Sequence, residues 1–175
     1  MNKLLFCSLI AATALAGCDS GESKEVKASS YDGTYLKIGV IGEQPNLREK
    51  NIRFSTLSFE ELKDTNNVSS KFDAVFITKN NLKQADEEKY VKVYRELDIP
   101  TFFLETTKGF LPFVSEDLTY ATASELEHSY ASGYLQEKKD SYRFWEYGLN
   151  NNQKNDKNIK DVYSRIFKTI AEVKE

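Results

Sequence analysis

Two carboxylates stand where chemistry could be built. Glu43 directly follows the apolar run Tyr35-Leu-Lys-Ile-Gly-Val-Ile-Gly42, and Glu105 closes the run Pro100-Thr-Phe-Phe-Leu-Glu105. Another apolar run, Phe72 to Thr78, leads into Lys79 and Asn80. In open α/β sheets, residues at the carboxyl ends of parallel strands face the crevice where ligands bind. The candidate crevice is therefore Glu43, Thr78, Lys79, Asn80 and Glu105. Glu43 and Glu105 converging there, with Lys79 between them, could do acid–base work if their surroundings split their pKa values, or hold a cation. The competing reading is that strand-end polar residues are solvated loop starts and helix caps.

Other chemistries find little support. The chain has a single histidine, His128. Transition-metal sites ordinarily use several His or Cys ligands, so no metal site is assigned. A Ser-His-Asp relay would have to run through His128 alone, and no Gly-x-Ser-x-Gly elbow supplies a serine. Gly39-Val-Ile-Gly42 lacks the spacing of a dinucleotide loop. No catalytic residue and no cofactor is assigned, and the reading leans away from an enzyme. A net charge of −3, with acids and bases interleaved along the chain, excludes nucleic acid as a partner. An aromatic cluster is more suggestive. In Ser141-Tyr-Arg-Phe-Trp-Glu-Tyr147, alternation puts Tyr142, Phe144 and Glu146 on one face and Arg143, Trp145 and Tyr147 on the other. One face must be core; Tyr142, Trp145 and Tyr147 are candidates for a surface contacting a protein or a glycan.

The elements that would carry these residues can be read from periodicity. Tyr35–Gly42 and Ile52–Ser58 are strands, joined by a link too short for a crossover helix, with room for one turn after Pro45. Ser58-Phe-Glu-Glu61 is a capping box opening a short helix to about Asp64; Thr65–Ser70 is a polar loop. Phe72–Thr78 is a strand and Leu82–Leu97 a helix with Tyr90, Val93, Tyr94 and Leu97 on one face. Pro100–Glu105 is the next strand, which makes a βαβ unit with parallel pairing. Lys108–Val114 reads as a loop with apolar anchors. Tyr130–Gln136 and Ser141–Tyr147 flank a polar link and form a β-hairpin. Asn155 or Asp156 caps a final helix striped with Ile159, Val162, Tyr163, Ile166, Phe167, Ile170 and Val173. The whole resembles a small Rossmann-like or flavodoxin-like three-layer α/β domain, with a mainly parallel sheet, an appended β-hairpin and a C-terminal helix.

The chain start gives the address. Lys3 precedes an unbroken apolar or small run from Leu4 to Ala16, the layout of a secretory leader. The run is too short for the roughly twenty residues a helix needs to cross a bilayer. It closes on Leu15-Ala16-Gly17-Cys18, which resembles the lipobox of bacterial lipoproteins. That resemblance implies a signal peptide over residues 1–17, removed on maturation, and a diacylglyceryl group on the Cys18 thiol. Fatty chains of the palmitate type would then hold the domain at the extracytoplasmic side of the cell membrane, an anchor that takes two chains to be stable. Residues 18–31 are polar and small, a flexible spacer, and 32–175 form a single domain. Cys7 leaves with the leader and Cys18 is acylated, so the mature domain has no thiol for a disulfide or a nucleophile. The function expected is non-catalytic binding at the cell envelope, to a protein or glycan there. The alternatives are an envelope hydrolase using Glu43 and Glu105, or a receptor for a small ligand.

Overall fold

The computed structural model of the chain describes residues 30–175; the leader, Cys18 and most of the spacer lie outside the described residues. Its strands form one six-stranded sheet in the order β2-β1-β3-β4-β5-β6. They are β1 (Leu36–Ile41), β2 (Ile52–Thr56), β3 (Ala74–Ile77), β4 (Thr101–Leu104), β5 (Ala131–Lys138) and β6 (Ser141–Tyr147). The first four pair in parallel and the last two add antiparallel. Mixed α/β architecture, a mostly parallel sheet, the hairpin and a C-terminal helix are all present as expected.

β3 is Ala-Val-Phe-Ile and is buried on both faces, as central parallel strands are. Its side chains divide the interior in two. Ala74 and Phe76 point toward the C-terminal helix α6 (Asp156–Lys174), while Val75 and Ile77 point to the opposite core. On the α6 side, Phe76 meets Phe167 at 6.2 Å and Phe102 at 5.7 Å. α6 presents Val162, Tyr163, Ile166, Phe167 and Ile170 at spacings of three and four, and this stripe covers the sheet. Asn155 caps it, its side chain accepting from the Asn158 N–H at 2.9 Å. On the other side lie five short helices. These are α1 (Phe59–Leu62), α2 (Thr65–Lys71), α3 (Leu82–Ala85), α4 (Val91–Glu96) and α5 (Leu111–Val114). Phe103 stacks on Phe113 at 3.8 Å there. The capping box of α1 forms as expected, with Ser58 and Glu61 exchanging hydrogen bonds at 2.8 and 3.2 Å.

Several local expectations differ. The expected helix 82–97 is interrupted between α3 and α4, with a 3-10 turn at Glu88–Tyr90. Asp86 stays in the helical region as the C-cap of α3 while its side chain accepts the Tyr120 N–H at 2.7 Å, and the next residue, Glu87, turns extended (φ −68°, ψ 132°) and breaks the helix. The expected face survives the break: Tyr90, Val93, Tyr94 and Leu97 are all buried. Thr65–Lys71, expected to be a loop, is helical, capped by Asp64 and packed through Val68 alone, which leaves no periodicity to read. The 108–114 loop contains α5, with Pro112 in its first turn where a missing N–H costs nothing. No helical turn follows Pro45; β1 and β2 pair in parallel across an irregular link. That link passes on the α6 side, where Leu47 packs on the core and the Arg48 guanidinium donates to Ser164 Oγ at 2.8 Å. Tyr31, expected in the spacer, is buried beside Phe167.

The route of the chain positions the cleft described next. From β1 it moves to one side of the sheet over the α6 face, then returns through α1 and α2 over the other face to β3. Reversing direction and face together keeps one crossover hand. The connections therefore diverge between the carboxyl ends of β1 and β3.

Candidate functional site

Gly42 directly follows β1 with φ +110°, and a Cβ there would stand 2.0 Å from Thr78 Oγ1. Glycine is required for so close an approach. Across that approach the Ile41 carbonyl accepts from the Thr78 N–H at 3.1 Å and from Thr78 Oγ1 at 3.3 Å. Asn81 Nδ2 donates to Thr78 Oγ1 at 3.3 Å. These bonds clamp the end of β1 to the end of β3 and hold the following residues around one open cleft of about 230 Å³. Glu43, Thr78, Lys79, Asn80 and Glu105 all line it, so the five residues expected at the crevice are brought together. Asn46 and Tyr163 line it too and were not foreseen. Asn46 sits in an irregular link with no periodicity. Tyr163 was visible as part of the α6 stripe, but a core position gives no hint that the phenol reaches a cleft.

Glu105 is held in a left-handed backbone, φ 57°, a conformation that non-glycine residues adopt at a cost. Its carboxylate is paired with the Lys154 ammonium at 2.5 Å, from the loop ahead of α6. Beneath it, burial pushes the Tyr163 hydroxyl up to about 12, and the Tyr130 hydroxyl bonded to it is raised further for the same reason. Both phenols are neutral near pH 7, so they can donate and accept without adding charge. Lys79 is exposed and forms no ion pair among the described residues. The cleft thus offers one free ammonium, the Glu43 carboxylate, a neutralised Glu105, and amide, hydroxyl and phenol groups. An open cleft of about 230 Å³ lined by these groups suits a small polar ligand. Among the described residues no group of His, Cys, Asp and Glu is arranged to hold a metal ion.

The aromatic candidates separate. Tyr147 is buried, its hydroxyl hydrogen-bonded to Thr169 Oγ1 at 2.8 Å, and belongs to the α6 core. Trp145 is half-buried, stacked on Phe102 at 6.0 Å and under the Arg143 guanidinium at 5.6 Å. Gly133 makes room for that stack, since a Cβ there would meet Phe102 at 2.5 Å. Tyr142 is exposed, together with Phe144 and Leu111, which were not named as contact residues. Tyr142 and Leu111 line a groove of about 490 Å³ between α5 and the hairpin together with Phe110, on which Phe144 stacks at 5.0 Å. Sequence alternation gave the two faces; it could not tell which one α6 covers.

His128 is exposed, with Nε2 3.3 Å from Glu127 and Nδ1 beside Asn152. Nearby, Glu146 accepts from Ser132 Oγ at 2.6 Å and from Ser129 Oγ at 3.2 Å. A serine, a histidine and a carboxylate are neighbours here, but the serines bond the carboxylate directly and no imidazole stands between. That connectivity is not a nucleophile–base relay. Among the described residues no helix is long and apolar enough to cross a membrane. Compared with protein-family models, curated proteins and solved structures, the chain matches none.

Proposed function

We propose that this chain is a lipid-anchored protein of the extracytoplasmic membrane face whose domain binds a small polar ligand, without catalysis, in the cleft between β1 and β3. The single observation that supports the binding reading is convergence. Glu43, Thr78, Lys79, Asn80 and Glu105 come from separate strand ends and meet in one cleft. The parallel order β2-β1-β3-β4, to which β5 is added antiparallel, supports a doubly wound sheet of flavodoxin-like type, in which the crevice at the point of divergence is the ligand site. The strained backbone at Glu105 adds to this, because costly conformations concentrate at functional positions. The anchor is supported by the leader and by Leu15-Ala16-Gly17-Cys18.

A ligand carrying both an acidic and a basic group matches the free Lys79 ammonium and the Glu43 carboxylate. The test is a thermal-shift and NMR titration of the protein with amino acids, dicarboxylates and monosaccharides. One class should shift resonances of Thr78–Asn80 and Glu105 saturably, and Lys79→Ala should abolish the response to anionic groups. Absence of any cleft response across the panel would reject the reading. The anchor is tested separately: Cys18→Ala should abolish fatty-acyl labelling and release the chain from the membrane fraction. A hydrolase using Glu43 and Glu105 is the second reading, favoured by their sharing the cleft. The Lys154 pair already occupies Glu105, so the binding reading comes first. Turnover of a glycoside or peptide that is lost in Glu43→Gln and Glu105→Gln would reverse that order.

A further inference from the structure

We infer that β6 pairs edge to edge with β6 of a second copy of this chain, antiparallel and centred on Phe144. This rests on the strand edge alone, independently of the cleft and the anchor. β6 hydrogen-bonds only to β5 and closes one end of the sheet. One row of its N–H and C=O groups therefore faces outward, a template for another strand. The strand is seven residues long, and Ser141 to Glu146 are exposed or half-buried. It contains neither proline nor lysine; its charged side chains are Arg143, paired with Glu137 of β5 at 2.6 Å, and Glu146. The opposite edge, β2, is five residues long and carries no comparable aromatic patch.

Symmetry selects the register. Two identical edges joined antiparallel in one continuous sheet place the two-fold axis normal to the sheet, so each side chain stays on its own face. Alternation then requires opposed residues to have the same parity, and the axis passes through a residue. Centring on Arg143 opposes two guanidinium groups and leaves part of the strand unpaired. Centring on Trp145 also leaves residues unpaired and sets Glu146 against Phe144. Centring on Phe144 pairs the whole strand. It puts Phe144 against Phe144 of the copy, Tyr142 against the copy's Glu146, and Arg143 against the copy's Trp145. No like charges meet, and the cation–aromatic contact already made within the chain, Arg143 over Trp145 at 5.6 Å, is repeated across the axis. The axis also joins the exposed patches. Tyr142, Phe144 and Leu111 are 49%, 53% and 50% exposed, and Phe110 lies 5.7 and 5.0 Å from the first two. Two copies bring these aromatic rows together around Phe144.

Directly opposed residues of an antiparallel pair have Cα atoms about 4.5–5.5 Å apart, within disulfide reach. The experiment therefore uses the full chain with Phe144→Cys, treated with a mild oxidant and read on a non-reducing gel. Wild type sets the background from Cys7 and Cys18. Phe144→Cys should become mostly covalent dimer. Tyr142→Cys alone should stay at background and form dimer only when co-expressed with Glu146→Cys. Ser55→Cys on β2 should also stay at background. Phe144→Lys, which opposes like charges at the axis, should sediment as a monomer with an unchanged circular dichroism spectrum, where wild type sediments as a dimer. Phe144→Cys at background, Tyr142→Cys linking to itself, or an adduct that is not twice the chain mass would each overturn the pairing.

Discussion

Glu105 combines a backbone cost with a smaller side-chain gain. A left-handed conformation costs a non-glycine residue roughly 1–2 kcal/mol. The ion pair with Lys154 is partly exposed, with 57% of the lysine and 29% of the glutamate side chain accessible, so it contributes about 0–1 kcal/mol. Glu105→Gly is therefore expected to leave stability unchanged or raise it by up to ~1 kcal/mol, while weakening ligand binding in the cleft. Denaturant unfolding alongside the ligand titration checks both halves, and a clear loss of stability would make Glu105 a structural residue. Glu146 behaves differently. Although the residue as a whole is exposed, partial desolvation of its carboxylate against the sheet raises the pKa, against the lowering by Ser132 and Ser129. The folded state then holds the proton more tightly than the unfolded chain. Below the ordinary glutamate range both states are protonated and no penalty exists; stability is lost as pH rises from that range through the raised folded value. Glu146→Gln keeps a group able to bond both serines and carries no charge. The variant should be the more stable protein at pH 7 and equal to wild type in acid. Melting curves that stay parallel across pH would contradict the assignment.

At the element scale, the break between α3 and α4 has its own support. Where the helix stops, the Tyr94 hydroxyl donates to the Ala85 carbonyl at 3.0 Å in the buried interior. Tyr94→Phe removes that donor, and an unsatisfied buried carbonyl costs about 1–3 kcal/mol. A loss of that size in denaturant midpoint is expected, with the fold retained; no change would mean another donor serves the carbonyl. The same break explains what the sequence could not reveal. The apolar face Tyr90, Val93, Tyr94 and Leu97 was legible because packing selects it. The interruption was not, because no local pattern marks the extended turn at Glu87, beside which Asp86 meets Tyr120 from far along the chain. Strands β1, β3 and β4 were legible as apolar runs closed by polar residues, and that is why all five cleft residues could be named from spacing. Asn46, Tyr163 and Lys154 escaped, since they reach the cleft through a loop and a helix whose placement no local pattern encodes. The hairpin was legible as two alternating runs, but its buried face was decided by α6, a tertiary event.

At the scale of the whole molecule, one sheet separates two cores that share its strands and little else. Both cysteines precede residue 30, so no covalent link joins the layers within the described body. Cohesion must come from strand pairing and from side chains that alternate between the cores, such as Phe76 and Ile77. Phe76 is fully buried, ringed by Phe54, Phe102, Tyr163 and Phe167 at 5.7 to 6.5 Å. Phe76→Ala is expected to cost about 3–5 kcal/mol, a large part of the ~5–15 kcal/mol that holds a domain folded. If the sheet transmits that loss, the variant should melt in a single transition. Trp145 is the sole tryptophan and sits on the outer hairpin against Phe102, so it reports the end of the sheet farthest from β2. Its fluorescence should move together with the helical circular dichroism of α6, and dithiothreitol should shift neither curve. Two separated transitions would mean that the hairpin and the parallel sheet unfold as independent units. The antiparallel addition would then be an attachment, rather than part of the structure that frames the cleft.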